Sequence, residues 1–548
     1  SFPTISGGAS TKTLNTGCTL VEFPVGTDLK TVMSQASFTV DGSPVDASSI
    51  IPNPATLSLE DDQSVTFLYK GKAYGFRFSE GKYFTAVFLS DPHIGQNDHD
   101  GTSVADMQKY VGKIVNMGKE SGAIFGFDAL PGYVPTCDIA FSTGDMDADN
   151  SKSHNDFKSA HAGFAAAGIP FISMCGNHDL VPDYWTGENP DKGLTYGIGN
   201  NGGMGSNKLS INLINEYRNN LSKYGISDVS LITDGTKHTQ FNPYSFTFNG
   251  VRFYVGQTYW FQKPYDAPAT AFSSAKYYAP DKVISALEKF VSNHSSEPSV
   301  WMQHYPFLAG SDCDRWWLDQ NDVGKYIKTQ DASVYGTQDN VAVFTEASAN
   351  AVAKKKKDKL AEIIGKTKNP VHFSGHTHQF SVNTYNGIKD YTTAASGYAA
   401  SKGAAYIVLM KGNKGVVEVK QVLFSPDFMS GVTDRKMDLL PDDVNAVAAK
   451  LQESLSHLGA DVTAQSKALE SANNEADVAT AVKSMETAFD SYILQQGGKD
   501  VDVTKLLGEN MDFETQQATA NSEYTAIYPQ AGWNSYVESF YNAGNKVY

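Results

Sequence analysis

Apolar residues run almost unbroken through "YFTAVFL" (83–89), and similar runs fill 138–143, 170–175, "SVWM" (299–302) and "VHF" (371–373). Runs of that length without polar alternation predict strands buried on both faces. Between them the apolar spacing predicts helices over 103–119, 155–167, 281–293 and 346–365. Strand and helix alternate, the mark of an α/β chain. Hairpins are interleaved with these units. "YSFTFNGVRFYVGQT" turns at Asn249-Gly250, and "AAYIVLMKGNKGVVEVKQVLF" turns at Gly412–Gly415. The expectation is two packed mixed β-sheets with helices outside them.

The flanks differ. Residues 19–80 alternate and turn like a small β-domain, with an Asp41-Gly42 turn in "SFTVDGSPVD" and a hairpin about Lys70-Gly71. Beyond residue 425, Val444, Val447, Leu451 and Leu455 share one helix face, as do Val478, Val482, Met485 and Phe489. The division expected is an N-terminal segment 1–18, a β-domain 19–82, a catalytic domain 83–425, and a helical hairpin with a Tyr-rich tail over 426–548.

Composition narrows the classes. The chain of 548 residues is 41% hydrophobic and 19% charged, an ordinary globular balance. No stretch approaches the roughly 18 apolar residues of a membrane-spanning helix. A net charge of -16 opposes a grip on a phosphate backbone, so nucleic acid is not an expected partner. Small phosphorylated substrates stay open, because a metal site supplies positive charge locally. The Gly/Ser/Thr-rich start "SFPTISGGAS", 28 Tyr and low charge point to an extracytoplasmic protein, secreted or periplasmic. Cys18, Cys137, Cys175 and Cys313 have no CxxC spacing and form no disulfide framework.

The residues just after each apolar run carry the chemistry. Ligands bind an open α/β sheet where the carboxyl ends of its strands release their loops. There stand Asp91, His93, Asp145, Asn177, His304, His376 and His378. All are oxygen or imidazole donors with no thiolate among them, a set suited to catalytic Mn, Fe or Zn. Seven donors exceed one four-coordinate ion and fit two ions sharing a carboxylate. Such a pair clamps a phosphoryl group and lowers the pKa of bound water toward neutrality.

Asp91-Pro92-His93, Gly144-Asp145, Gly176-Asn177-His178-Asp179, the lone His304 and Gly375-His376-Thr377-His378 occur in that order, each after a predicted strand. Any one block is common; the ordered set is specific. Over about 84–425 the chain resembles the calcineurin-like metallophosphoesterases. The resemblance implies a four-layer αββα fold and a hydrolase of phosphate mono- or diesters. It implies two divalent or trivalent ions (Mn, Fe or Zn), one held by Asp91, His93 and His378 and the other by Asn177, His304 and His376, with Asp145 bridging. Hydroxide between the ions would attack phosphorus, with His178, beside Asp179, contacting the phosphoryl group or protonating the leaving oxygen. "GDMDADN" lacks the Tyr that purple acid phosphatases place after this block, so no tyrosinate-bound iron is expected. A nuclease or phospholipid phosphodiesterase of the same family is the alternative, and a binding or adhesion protein with an inactive domain is another. The acidic charge opposes the nuclease, no amphipathic membrane helix supports the lipid enzyme, and the intact ligand set opposes the inactive domain.

Other polar and aromatic residues have plainer readings. His372 reads as structural, and His154 and His161 as helix surface or packing. Asp98, His99 and Asp100 read as a solvated loop more readily than as the mouth of the site. The run "KKKK" (354–357) reads as a solvated helix face. Tyr184, Trp185, Trp316 and Trp317, in the long insertions 180–244 and 307–345, fit substrate stacking and packing equally.

Overall fold

A computed structural model of the chain describes residues 9–70, 72–94, 101–118, 126–146, 153–176, 179, 214, 216–232, 243–257, 260, 280–308, 317, 346–396, 403–424, 461–471, 477, 480–481, 483–484 and 487–488. Asp98, His99, Asp100, Asn177, His178, Tyr184, Trp185, Trp316 and the expected helix at 444–455 lie outside the described residues. By contacts the chain divides into two compact units, Ser1–Tyr83 with Ser121–Val134 and Gly431–Tyr548, and Phe84–Glu120 with Pro135–Ser430.

In the first unit, β1 (Ser10–Thr13), β2 (Thr19–Phe23), β5 (Gln63–Tyr69) and β6 (Lys72–Glu80) form a sheet in the order β1-β2-β6-β5. β5 and β6 pair antiparallel from Gln63↔Phe78 to Tyr69↔Lys72, which puts the hairpin turn at residues 70–71. A short helix α1 (Leu29–Val32) and the two-residue strands β3 (Thr39–Val40) and β4 (Ser43–Pro44) come after β2. Asp41 and Gly42 between β3 and β4 take φ of 50° and 78°, the positive values a two-residue hairpin turn demands. Phe23, Phe67, Phe76 and Phe78 build the core with Met33, Ile50 and Leu59. A C-terminal helix, α6 (Thr463–Glu470), also belongs to this unit.

The second unit is mixed α/β. Its first sheet runs β18-β17-β7-β8-β9, from β7 (Tyr83–Leu89), β8 (Ile139–Ser142), β9 (Phe171–Ser173), β17 (Ala404–Lys411) and β18 (Gly415–Leu423). β7, β8 and β9 are parallel, and every residue of β7 is buried, as its apolar run requires. The second sheet contains β10 (Ser227–Leu231), β11 (Tyr244–Phe248), β12 (Val251–Val255), β13 (Pro298–Met302), β14 (Lys368–Ser374), β15 (Ser381–Tyr385) and β16 (Ile388–Thr392). Its order is β10-β11-β12-β13-β14-β16-β15, with β12, β13, β14 and β16 mutually parallel.

Side chains of both sheets share one core. Phe88 and Phe141 meet Phe246, Phe253 and Phe373, and the Phe88 and Phe373 rings stack with centroids 3.8 Å apart. Burying one such ring contributes about 1.5–3 kcal/mol. Trp301, Tyr254 and Ile388 of the second sheet join a separate core with α4 (Pro280–Asn293) and α5 (Glu346–Ile364), through Ile284, Leu287, Leu360 and Ile364. Trp317 is fully buried in that cluster and its indole N–H donates to Pro306 O at 3.0 Å, so it takes the packing alternative. Lys357 corrects the solvated reading of the lysine run: it is buried, with its ammonium over the Trp317 ring. The exposed Lys354 keeps that reading, pairing with Asp358 one turn on.

Two more helices serve the first sheet's unit. Ser103 caps α2 (Val104–Asn116) by accepting from Asp106 N, and Met107, Tyr110, Val111 and Ile114 are its buried face. α3 (Ser153–Ala166) meets α2 where Gly163 lies against Val111. His161 of α3 is packing: its Nδ1–H donates to Phe157 O at 2.9 Å and its ring stacks on Phe171. Burial outweighs that hydrogen bond and brings its pKa down to about 4. The folded state therefore refuses a proton that the unfolded chain takes up near pH 6.5. Stability present above that value is lost as pH falls toward the folded pKa, by about 3 kcal/mol in all. In urea unfolding at pH 7 and pH 5, His161→Phe is expected to lose less stability on acidification than the natural chain. Equal losses would place the acid sensitivity elsewhere. No helix among the described residues is long and apolar enough to cross a membrane.

Candidate metal centre

A pair of parallel strands from each sheet ends at one place. β7 leads to Asp91 and His93, β8 to Asp145, β13 to His304, and β14 to His376 and His378. Backbone hydrogen bonds register these ends: Asp91 N–H donates to Gly144 O, His93 N–H to Asp145 O, and Gly375 N–H to His304 O. Donor atoms of Asp91, His93, Asp145 and His378 lie within 4.8 Å of one another, and so do those of Asp145, His304 and His376. Asp145 belongs to both groups.

The separations fit ligands around a cation. His93 Nε2 is 3.1 Å from His378 Nε2 and 3.6 Å from Asp145 Oδ2. Asp91 Oδ1 is 3.4 Å from His378 Nε2, 3.8 Å from His93 Nε2 and 3.9 Å from His304 Nε2. Ligand atoms about 2.0–2.1 Å from a tetrahedral ion stand roughly 3.3 Å apart. Most of these contacts are too long for hydrogen bonds. Asp91 Oδ1, wholly buried, accepts none among the described residues. Its other oxygen is occupied, accepting from Ser90 Oγ and from His376 N–H at 2.9 Å. Thr143 Oγ1 in turn donates to Ser90 Oγ at 2.7 Å. One oxygen of Asp91 is thus fixed by the protein and the other presented to the cluster, the arrangement by which outer hydrogen bonds orient a metal ligand.

His304 gives the sharpest electrostatic statement. Its Nδ1 lies 2.8 Å from Thr143 O, and a carbonyl only accepts, so Nδ1 carries the hydrogen. Its Nε2 then faces Asp145 Oδ2 at 3.2 Å, and both residues are buried. A bare nitrogen lone pair against a carboxylate repels; the contact needs a proton or a cation between them. Burial opposes the proton, yet the Asp145 and Asp91 carboxylates prevail and bring the His304 pKa up to about 9. Burial likewise works against the charged Asp91, and His304, His378 and His93 override it to hold the carboxyl well below its usual range. A cation would supply what these protons supply, and the donor set fits one.

Local backbone geometry explains the residue types. Asp91, His93, Asp145, His376 and His378 take φ of 47°, 42°, 53°, 73° and 60°, left-handed values that Asp and His tolerate better than most side chains. Such conformations persist where the surroundings over-determine them, commonly at functional sites. Two motif glycines are required by close approach. A Cβ on Gly176 would lie 2.1 Å from Asp145 Oδ1, and one on Gly375 would lie 1.9 Å from Ser90 Oγ. Gly176→Ala is therefore expected to displace Asp145 and weaken metal uptake by about 10–100-fold, the range found when groups supporting a ligand are disturbed. Calorimetric titration of chelator-stripped protein reads this directly; natural affinity in the variant would contradict it.

Of the expected site residues, the structure brings together Asp91, His93, Asp145, His304, His376 and His378. Asn177 and His178 fall outside the described residues. Asp179 is buried, and its carboxylate oxygens accept Met146 N–H at 2.8 Å and Gly176 N–H at 2.6 Å. It therefore struts the loop after β8 against the loop after β9. His372 is structural, its Nδ1 2.8 Å from Asp390 Oδ1, and Asp390 also accepts from Ser374 Oγ and Phe307 N–H. Ser90 and Thr143 escape the sequence reading. Their signal is slight: a hydroxyl at the strand end just ahead of each acidic ligand.

No protein-family profile matches the chain, and neither does any curated protein. Among solved structures it is similar to a dimetal phosphatase from Danio rerio, at 11% identity over 62% of this chain and 99% of that one, TM-score 0.28. It is similar to a putative 5'-nucleotidase from Staphylococcus aureus, at 11% identity over 67% of this chain and 57% of that one, TM-score 0.30. A phosphopantetheinyl hydrolase from Mycobacterium tuberculosis aligns at 13% identity over 64% of this chain and 100% of that one, TM-score 0.27. Likeness at this level assigns no activity, so the function is read from the site's own residues.

Proposed function

We propose that the protein is a metal-dependent hydrolase of phosphate mono- or diesters acting outside the cytoplasm, with its chemistry in residues 83–425. The observation that carries this reading is the buried His304–Asp145 contact, which demands a positive charge between two groups that both belong to the second donor cluster. Asp91, His93 and His378 would hold one cation, Asn177, His304 and His376 the other, and Asp145 both. Bound Mn, Fe or Zn would offset phosphoryl charge and lower the pKa of coordinated water toward neutrality.

The chain's own groups do the rest. Ser90 and Thr143 fix Asp91, and Thr143 O fixes the tautomer of His304. Asp179 holds Gly176 against the loop that carries Asp145. His178 donates a proton to the departing alkoxide. The substrate is small and phosphorylated, since a chain of net charge -16 repels a polyanion. Chelator-stripped protein, reloaded with Mn, Zn or Fe, is expected to hydrolyse p-nitrophenyl phosphate or its bis-ester and to lose that activity on stripping. Metal uptake without turnover of any mono-, di- or pyrophosphate ester would favour a binding protein instead.

A further inference from the structure

No expected ligand comes after β12, yet that strand leads to Gln257, a residue only 2% exposed and held at φ of 62°. Gln257 is committed twice. Its backbone carbonyl accepts His304 N–H at 2.9 Å, and its side-chain Oε1 accepts Cys175 N–H at 3.2 Å. Cys175 lies just past β9 in one sheet and directly precedes Gly176, while Gln257 and His304 lie just past β12 and β13 in the other. One side chain therefore ties the two sheets together at the edge where His304 emerges. Its Nε2 is buried with no hydrogen-bond partner among the described residues, so the amide is held through its oxygen alone. A long side chain at positive φ persists where its surroundings over-determine it, and these two hydrogen bonds do so.

The Asp91 side of the centre is tied differently. There His376 N–H donates to Asp91 Oδ2, and Ser396 donates both its N–H and its Oγ–H to Ser90 O. Loss of the Gln257 tie should thus fall chiefly on the cluster that contains His304, and reach the Asp91 cluster only through the shared Asp145.

We infer that Gln257 is a positioning residue, which sets the distance between the β9 end and His304 and so prepares the Asp145–His304–His376 cluster for its cation. This rests on the metal reading proposed above. Gln257 does not touch the reacting atoms; it acts through His304 and the Gly176 loop.

The test uses two substitutions. Gln257→Asn tolerates a positive φ but is one methylene shorter, so its oxygen cannot reach Cys175 N–H. Gln257→Glu keeps the acceptor at full length. Each is titrated calorimetrically with Mn after chelator stripping, in a His378→Ala background that impairs the Asp91 cluster and in a His304→Ala background that impairs the other. Gln257→Asn is expected to weaken the ion left in the His378→Ala protein by about 10–100-fold and to weaken the ion left in the His304→Ala protein clearly less, since only the shared Asp145 connects it to the tie. Gln257→Glu is expected to bind as tightly as the natural residue, or tighter. Thermal melting of the stripped proteins, expected to drop modestly and by the same amount in both backgrounds, separates a lost tie from a lost fold. Unchanged affinity in Gln257→Asn, or equal losses in both backgrounds, overturns the inference while the metal reading stands. Should Gln257→Asn not fold, weak binding by Gln257→Glu overturns it just as well. A natural chain that takes up no Mn overturns the metal reading, and the inference with it.

Discussion

Asp145→Ala is expected to lose both cations and to cut turnover of an aryl phosphate by more than the 10²–10³-fold that about one missing transition-state donor costs. The reason is its double membership. Asp145 Oδ2 stands 3.6 Å from His93 Nε2 on one side and 3.2 Å from His304 Nε2 on the other. Removing it takes a donor from each cluster and leaves His304 Nε2 without the carboxylate it faces. His378, by contrast, belongs to one cluster. His378→Ala should therefore release about half the metal that Asp145→Ala releases, and Asp145→Asn should lower both occupancies. Elemental analysis of the three variants after exhaustive dialysis reads the pattern. Equal metal loss in His378→Ala and Asp145→Ala would mean that the two clusters act as one site.

The second large effect belongs to His178. If it protonates the departing oxygen, His178→Ala keeps its metals and loses about 10²–10⁴-fold in kcat on alkyl phosphate esters, the usual contribution of a general acid. With a p-nitrophenolate leaving group, which needs little protonation, the loss should be clearly smaller. The split between leaving groups is the readout, because a merely structural residue would depress both alike. Equal losses would assign His178 to the phosphoryl charge, and loss of metal would make it part of the metal shell. Asp179→Asn is a useful companion. It keeps an acceptor for one of the two backbone amides that Asp179 now serves and replaces the other contact with a donor. It should loosen the loop and so impair both classes of ester.

The ligand-bearing ends are legible in the chain because a strand buried on both faces must be apolar throughout. Asp91, Asp145 and His304 stand out against β7, β8 and β13 for that reason. Hairpin turns are legible where the backbone restricts the residue, as at Asp41-Gly42 and at Asn249-Gly250, where Asn249 takes φ of 47°. The double membership of Asp145 is visible in the chain only through the resemblance carried by the ordered motifs, since which donors converge is settled in three dimensions. Lys357 and Trp317 mark where local reading stops. A lysine in a lysine-rich turn looks solvated until an aromatic ring from about 40 residues upstream covers it. Ser90, Thr143 and Gln257 are hidden for a related reason: each looks like an incidental polar residue at a strand end. Their importance lies in whose oxygen or amide they hold.

On the proposed reading, each of the two donor clusters holds its own cation. Equilibrium dialysis of chelator-stripped natural protein against Mn or Zn, with elemental analysis afterwards, tests it most directly. The expected result is close to two ions per chain, falling at both positions in Asp145→Asn. A single tightly held ion that Asp145→Asn leaves in place, or no ion at all, would rule out a two-cation centre.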